Sequence, residues 1–284
     1  MNFLKKPAWL RSRIYSAAWF SSVSKVIADN GLHTICSSGR CPNQSECWSK
    51  GTATLLIAGE ICTRSCKFCN TLTGKPKPLD ADEPDKVAES IKRMQLKHAV
   101  ITSVDRDDLA DGGAQHWATT IAAIKAQNPE TTLEVLIPDF DGRTQCLDLI
   151  IAAKPTIISH NLETVKRLTP GIRSKGRYET SLTVLKYLAD SGAVTKSGLM
   201  VGLGETKDEI VELMQDAKNA GCSILTIGQY MQPARKNIAV VAYIHPEVFA
   251  EYKKIALEMG FRRVESGPFV RSSYCAENHV PEGV

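Results

Sequence analysis

The sequence predicts an α/β fold, a partial (β/α)6 TIM-like barrel with an extension at each end. Two observations carry that expectation. Six short β-branched runs alternate with six amphipathic stretches of ten to fifteen residues, the pattern of serial βα units on a parallel sheet. Three cysteines in ICTRSCKFC directly follow the first of those runs, at a strand's C-terminal end, where such barrels carry their chemistry. Eight units would complete a barrel; six leave it open.

The strand candidates, in order, are ATLLIAGEI (53–61), HAVITSV (98–104), TLEVLIPDF (132–140), TIISHNL (156–162), SGLMVGL (197–203) and SILTIGQYM (223–231). Helices are expected near 83–96, 114–127, 144–153, 178–191, 206–220 and 246–259. Pro84 after Asp82 and Thr206 before an acidic turn are start signals, and Gly192, Gly221 and Gly260 are C-terminal stops. The expected division is an N-terminal extension over 1–50, the barrel over 51–232 and a C-terminal extension over 233–284.

At 284 residues, 43% apolar and 23% charged, the composition is that of an ordinary soluble domain. A net charge of +4 without a Lys/Arg block argues against a nucleic-acid binder and allows an acidic protein partner. No apolar run approaches the roughly 18 residues a bilayer span needs, so no membrane partner is expected. RSRIYSAAWFSSVSK is basic, Ser-rich and free of acidic residues, a composition shared with organellar transit peptides.

Nine cysteines are present, six of them between positions 36 and 69. In a chain of this length without a secretory pattern, clustering points to metal rather than to a disulfide framework. Cys62, Cys66 and Cys69 are spaced CxxxCxxC, one thiolate short of a closed tetrahedral site. A [4Fe–4S] cube has four irons, so three cysteines leave one open to a small molecule. Cys36, Cys41 and Cys47 form a second triad, CxxxxCxxxxxC, for which a zinc knuckle or an iron–sulfur site are both open. Cys146 and Cys222 sit alone in helix and strand patterns, as small core residues do.

The CxxxCxxC with Phe68 before its last cysteine, on the first βα loop, resembles the radical S-adenosylmethionine (SAM) superfamily. The two triads in tandem, with RSSY at 271–274, resemble the lipoyl synthase family within it. KPAWLR, RCPNQSECW, GEICTRSCKFC, TSVDRDDLADGGA, HNLETV, GLMVGLGET, TIGQYMQP and GPFVRSSY all match family blocks, and KPAWLR sets the transit reading aside. Two departures stand out: SSGRCPN lacks the usual acidic pair, and Cys275 stands where the family has histidine.

The resemblance implies a SAM-binding [4Fe–4S] cluster on Cys62, Cys66 and Cys69, and an auxiliary [4Fe–4S] cluster on Cys36, Cys41, Cys47 and Ser273. It implies radical insertion of two sulfurs, at C6 and C8 of an octanoyl chain on a carrier lysine, with the auxiliary cluster consumed. Ser273 would then be a labile corner that lets one iron leave. For SAM itself it implies Thr102 and Ser103 at the methionine amino end and Arg173 or Lys175 at the carboxylate. Asn161 and Glu163 would take the ribose, and Met200 of the GLMVGLGE block the adenine side. The partners implied are an octanoylated lipoyl-carrier domain (a 2-oxoacid dehydrogenase E2 subunit or glycine cleavage H protein), reduced ferredoxin or flavodoxin, and an iron–sulfur carrier. A cytoplasmic monomer is expected. On the residues alone, a biotin-synthase-like sulfur inserter or a non-catalytic iron–sulfur or zinc module are the rival readings.

Overall fold

The structure is a computed structural model and describes residues 4–10, 17–49 and 52–280. Arg11 of the KPAWLR block and residues 11–16 of the transit-like stretch lie outside them. The chain falls into two compact units, one of residues 12–64, 71–157 and 275–284, the other of residues 1–11, 65–70 and 158–274.

The first unit opens with helix α1 (Ala17–Asp29), strand β1 (His33–Thr34) and the short helices α2 (Ile35–Ser38) and α3 (Gln44–Ser49). The stretch with transit-like composition is therefore largely helix. Val23, Val26 and Ile27, three and four residues apart on one face, are buried, and Phe20 stacks on Trp48 with ring centroids 4.9 Å apart. Strand β2 (Thr54–Ile57) pairs antiparallel with β1. Then come a two-residue ladder of β3 (Ile61–Cys62) with β4 (Leu72–Thr73), helix α4 (Glu83–Arg93), strand β5 (His98–Ser103), helix α5 (Ala114–Gln127), strand β6 (Thr132–Leu136) and helix α6 (Thr144–Ala152). Strands β2, β5 and β6 pair in parallel.

The expected strand over 53–61 is shorter than its apolar run. Ala58 (φ 64°) and Gly59 (φ 91°) turn left-handed and end it at Ile57, so Cys62 sits beyond the strand, in its own ladder. The run 132–140 likewise stops at Leu136. Asp139 instead caps a 3-10 turn at Phe140–Gly142 by accepting a hydrogen bond from the Asp141 N–H.

The second unit holds β7 (Ile157–Ser159), the short helix α7 (Thr169–Ile172), α8 (Tyr178–Asp190), β8 (Thr195–Val201), α9 (Lys207–Asn219), β9 (Ile224–Gln229), α10 (Pro246–Glu258) and β10 (Arg263–Gly267). Strands β7 through β10 pair in parallel, each with the next. The six expected βα units are present, and β10 is a parallel strand beyond them. Thr206 completes a capping box with Glu209. Gly192, Gly221 and Gly260 follow their helices at φ 85°, 82° and 87°, the left-handed stop that glycine reaches at no steric cost. The apolar core of this unit joins Leu199, Val201, Leu225 and Ile227 of the strands to Leu185, Leu213, Met214 and Phe249 of the helices. Among the described residues no helix is long and apolar enough to cross a membrane.

Candidate active site

In the first unit the site is built around Cys62. Its Sγ receives the backbone N–H of Arg64 (3.4 Å) and of Asp105 (3.3 Å). The thiol also reaches Asp105 Oδ2 at 3.5 Å. The loop is held by Arg64, whose guanidinium is buried. It makes one forked pair with Asp107 (Nε to Oδ2 and Nη2 to Oδ1, both 2.9 Å). A second goes to Asp139 (Nη1 to Oδ2 2.9 Å, Nη2 to Oδ1 2.8 Å). Burial works against the Arg64 charge, yet the hydrogen bonds of Asp107 and Asp139 and the nearby Asp105 hold its pKa above the ordinary value. Burial pushes the Asp105 carboxyl up, Arg64 offsets part of this, and Asp139 and Asp107 add to it. Arg106 fastens the left-handed end of β2 by donating to Ala58 O (3.1 Å), while the Ala58 N–H donates to Glu83 Oε2 (2.7 Å).

In the second unit, residues 65–70 form a backbone-clamped turn. Ser174 Oγ accepts from the Ser65 N–H at 2.9 Å and lies 3.8 Å from Cys66 Sγ. Lys67 N–H donates to Ile172 O (2.9 Å), and Asn237 Nδ2 donates to the carbonyls of Cys69 (2.7 Å) and Lys67 (3.2 Å). Phe68 packs with Met200, Ile172, Leu203 and Tyr230. The aromatic between the last two cysteines thus anchors the loop, beside the Met200 expected on the adenine side.

The upstream triad lies wholly in the first unit. Thr34 caps α2, accepting from the Ser37 N–H, and places the buried Cys36 in the first turn. Cys41 N–H donates to Cys36 O, Cys47 N–H to Asn43 O, and Thr52 N–H to Cys47 O, each at 2.9 Å. Burial, together with the thiols of Cys41 and Cys36, Glu46 and Cys275, pushes Cys47 up to about 12. Thiols gathered this closely resist becoming thiolates together, a resistance a bound cation removes. Among the described residues no three His, Cys, Asp or Glu side chains converge on a single ion.

The remaining expected contacts divide between the units. In the first, the Thr102 hydroxyl donates to Leu136 O across the sheet (2.9 Å), and Ser103 Oγ accepts from Trp117 Nε1 (3.2 Å). In the second, Asn161 follows β7 and donates through Nδ2 to Glu163 Oε1 (3.1 Å) and Ser272 Oγ (2.7 Å). Glu163 holds φ 68°, a left-handed backbone that a non-glycine residue rarely adopts and that clusters at functional sites. Burial raises its pKa, while Arg173 and Asn161 pull it down. Arg173 Nη1 donates to Ser181 Oγ (2.8 Å), and Lys175 is exposed. In GLMVGLGE, the Glu205 carboxylate accepts from the N–H groups of Gly202 and Leu203, so this glutamate shapes its own loop. Ser273 is half-buried and lies within a turn closed by Tyr274 N–H to Arg271 O (3.0 Å).

Residues not singled out from sequence are Arg64, Asp105, Asp107, Asp139, Ser174, Asn237 and Ser272. Arg64, Asp105, Asp107 and Ser272 stood inside matched blocks, but only the fold brings their partners to them.

Residues 56–217 match the family model of the Radical SAM superfamily. Solved structures of similar fold include methylornithine synthase (PylB), with a TM-score of 0.56 at 9% identity covering 88% of this chain and 82% of that one. Streptococcus suis SuiB bound to its precursor peptide gives 0.60 at 10% identity, covering 81% and 51%. The class is thereby set: an α/β radical SAM fold, which implies SAM and a [4Fe–4S] cluster as cofactors. Among curated proteins, the lipoyl synthase of Parabacteroides distasonis is 59% identical over 98% of this chain and 99% of its own length. That of Bacteroides fragilis is 61% identical over 98% and 96%. This chain belongs to the lipoyl synthase family.

Proposed function

We propose that the chain is a sulfurtransferase that builds the lipoyl group by inserting sulfur at C6 and C8 of a protein-bound octanoyl-lysine. The observation that carries this is the pairing of two cysteine triads with RSSY in a chain alike to lipoyl synthases over 98% of its length. Cys62, Cys66 and Cys69 hold the SAM-binding cluster; Cys36, Cys41, Cys47 and Ser273 hold the auxiliary one. The donors fit. Cys62 Sγ already accepts two backbone N–H groups, and Cys41 and Cys36 lie close enough to the half-buried Cys47 to add to the rise of its pKa.

When bound, the first cluster supplies the electron that cleaves SAM, and the auxiliary cluster supplies the sulfur. The chain's own work is positioning. Asn161 and Glu163 bind the ribose, and Met200 packs at the adenine side. Thr102 and Ser103 face the methionine amino group, while Arg173 or Lys175 holds its carboxylate. Ser273 offers a hard oxygen that iron leaves more readily than a thiolate. The protein acts as a cytoplasmic monomer on an octanoylated E2 lipoyl domain or H protein. Ferredoxin or flavodoxin serves as reductant, and an iron–sulfur carrier is a further partner.

Anaerobic iron and acid-labile sulfide analysis tests the reading. About eight irons per chain are expected for two cubes; about four, or zinc in the upstream triad, would remove the auxiliary cluster from the account.

A further inference from the structure

The Asn161 side chain is nine-tenths buried, and its polar atoms can be accounted for one by one. One Nδ2 hydrogen goes to Glu163 and the other to Ser272. A carboxylate only accepts, which fixes the amide's orientation. Its Oδ1 is buried with no hydrogen-bond partner. Two glycines make this arrangement possible. A Cβ on Gly198, in β8, would stand 2.5 Å from Thr226 Oγ1 and 2.9 Å from Asn161 Oδ1. On Gly228, in β9, it would stand 2.1 Å from Val270 O. Val270, the residue that leads into RSSY, therefore lies directly on β9 at Gly228, with the Arg271 guanidinium beside it. Ser272 and Ser273 are the two central residues of the turn closed by Tyr274 N–H to Arg271 O, so whatever fixes Ser272 fixes Ser273.

We propose that Ser272 is a positioning residue that couples SAM occupancy to the serine ligand of the auxiliary cluster through Asn161. The inference rests on the functional reading above. A ribose hydroxyl donating to Asn161 Oδ1 polarises the amide and strengthens its bond to Ser272, as chained hydrogen bonds do. The turn carrying Ser273 is then held most firmly when SAM is bound. Linkage makes the effect reciprocal: Ser273 seated on its cluster tightens SAM by the same factor.

The test is the SAM dissociation constant of the anaerobic, reconstituted enzyme, measured with and without the auxiliary cluster. In the two-cluster protein, Ser272→Ala should weaken SAM by about 1.3- to 2-fold, because the Asn161–Ser272 bond exists with and without SAM and only its strengthening is lost. Ser272→Thr, which keeps the hydroxyl, should restore it. In a Cys36→Ala background, which lacks the auxiliary cluster, Ser272→Ala should cost less, because only the Asn161–Ser272 bond and no seated Ser273 is then coupled to SAM. If the alanine protein loses auxiliary iron, Ser272→Gly takes its place with the same outcomes. An unchanged constant in the two-cluster protein overturns the coupling. So does an equal loss in both backgrounds, which would make Ser272 a strut of the SAM site alone. Failure of the underlying reading looks different: Asn161→Ala would then bind SAM normally, or the wild-type protein would hold only about four irons, and the coupling would fall with it.

Discussion

Replacing Arg64 by Met keeps most of the side-chain volume and removes the charge from the centre of the Cys62 loop. Its side chain is 5% exposed and that of Asp139 is 2% exposed, with the forked pairs to Asp107 and Asp139 all at 2.8–2.9 Å. Breaking a buried pair from one side costs about 3–5 kcal/mol, because the carboxylates stay behind unpaired. At roughly 2–4 °C per kcal/mol for a chain of this size, the apo protein should lose about 6–20 °C in Tm. The deficit also has a pH sign. Burial already raises Asp105, and without Arg64 the neighbouring carboxyls rise too. A carboxyl with a raised native pKa stabilises below its unfolded value and loses that contribution as pH rises through the native value. The Arg64→Met deficit should therefore be larger near neutrality than in mild acid. Arg64→Lys, which keeps a charge but not the fork, should fall between. Anaerobic calorimetry of the apo proteins reads this out. A loss below about 2 °C, the size of an exposed ion pair, would refute the buried-hub reasoning.

The two triads should separate by activity. Alanine at Cys62, Cys66 or Cys69 should abolish 5′-deoxyadenosine formation. Alanine at Cys36, Cys41 or Cys47 should preserve it while no sulfur reaches the octanoyl chain, both followed by anaerobic chromatography. Gly228→Ala drives a methyl into the Val270 carbonyl and should cost about 1–3 kcal/mol. Displacing the RSSY segment, it should lower iron from about eight per chain towards four. Retention of the full iron count would show that the segment can shift without losing the cluster. Ser273→Cys should hold near-normal iron and still cleave SAM but lose doubly sulfurated product, because a thiolate releases iron less readily. Unchanged dithiolane yield would leave Ser273 a passive ligand.

Helices were the most legible part of the sequence, since periodicity and explicit stops agreed: α5 occupies 114–127 as expected. Strand ends were not, because Ile61 and Cys62 prolong the apolar run while the positive φ of Ala58 and Gly59 leaves no trace in composition. Strand β10, RVESG, is only partly buried and lacks the apolar alternation that marks a strand. Helix α1 carried its i, i+3, i+4 signal in Val23, Val26 and Ile27, but the serines and missing acids of the overlapping stretch 11–25 suggested transit composition instead. The cysteine loops were legible because ligand spacing is local. Their supports were not: Arg64 and Asp139 are 75 residues apart, and Asn161 and Ser272 are 111 apart, distances only a closed fold brings into contact.

The central claim is double sulfur insertion by this chain's own auxiliary cluster. The measurement that meets it most directly is mass spectrometry of an octanoyl-lysyl peptide after anaerobic turnover of the reconstituted enzyme with SAM and reductant. The account predicts a gain of two sulfurs less two hydrogens, absent when any of Cys36, Cys41 or Cys47 is replaced by alanine. A peptide unchanged in mass while 5′-deoxyadenosine accumulates, or full conversion by a protein lacking the upstream triad, would contradict it.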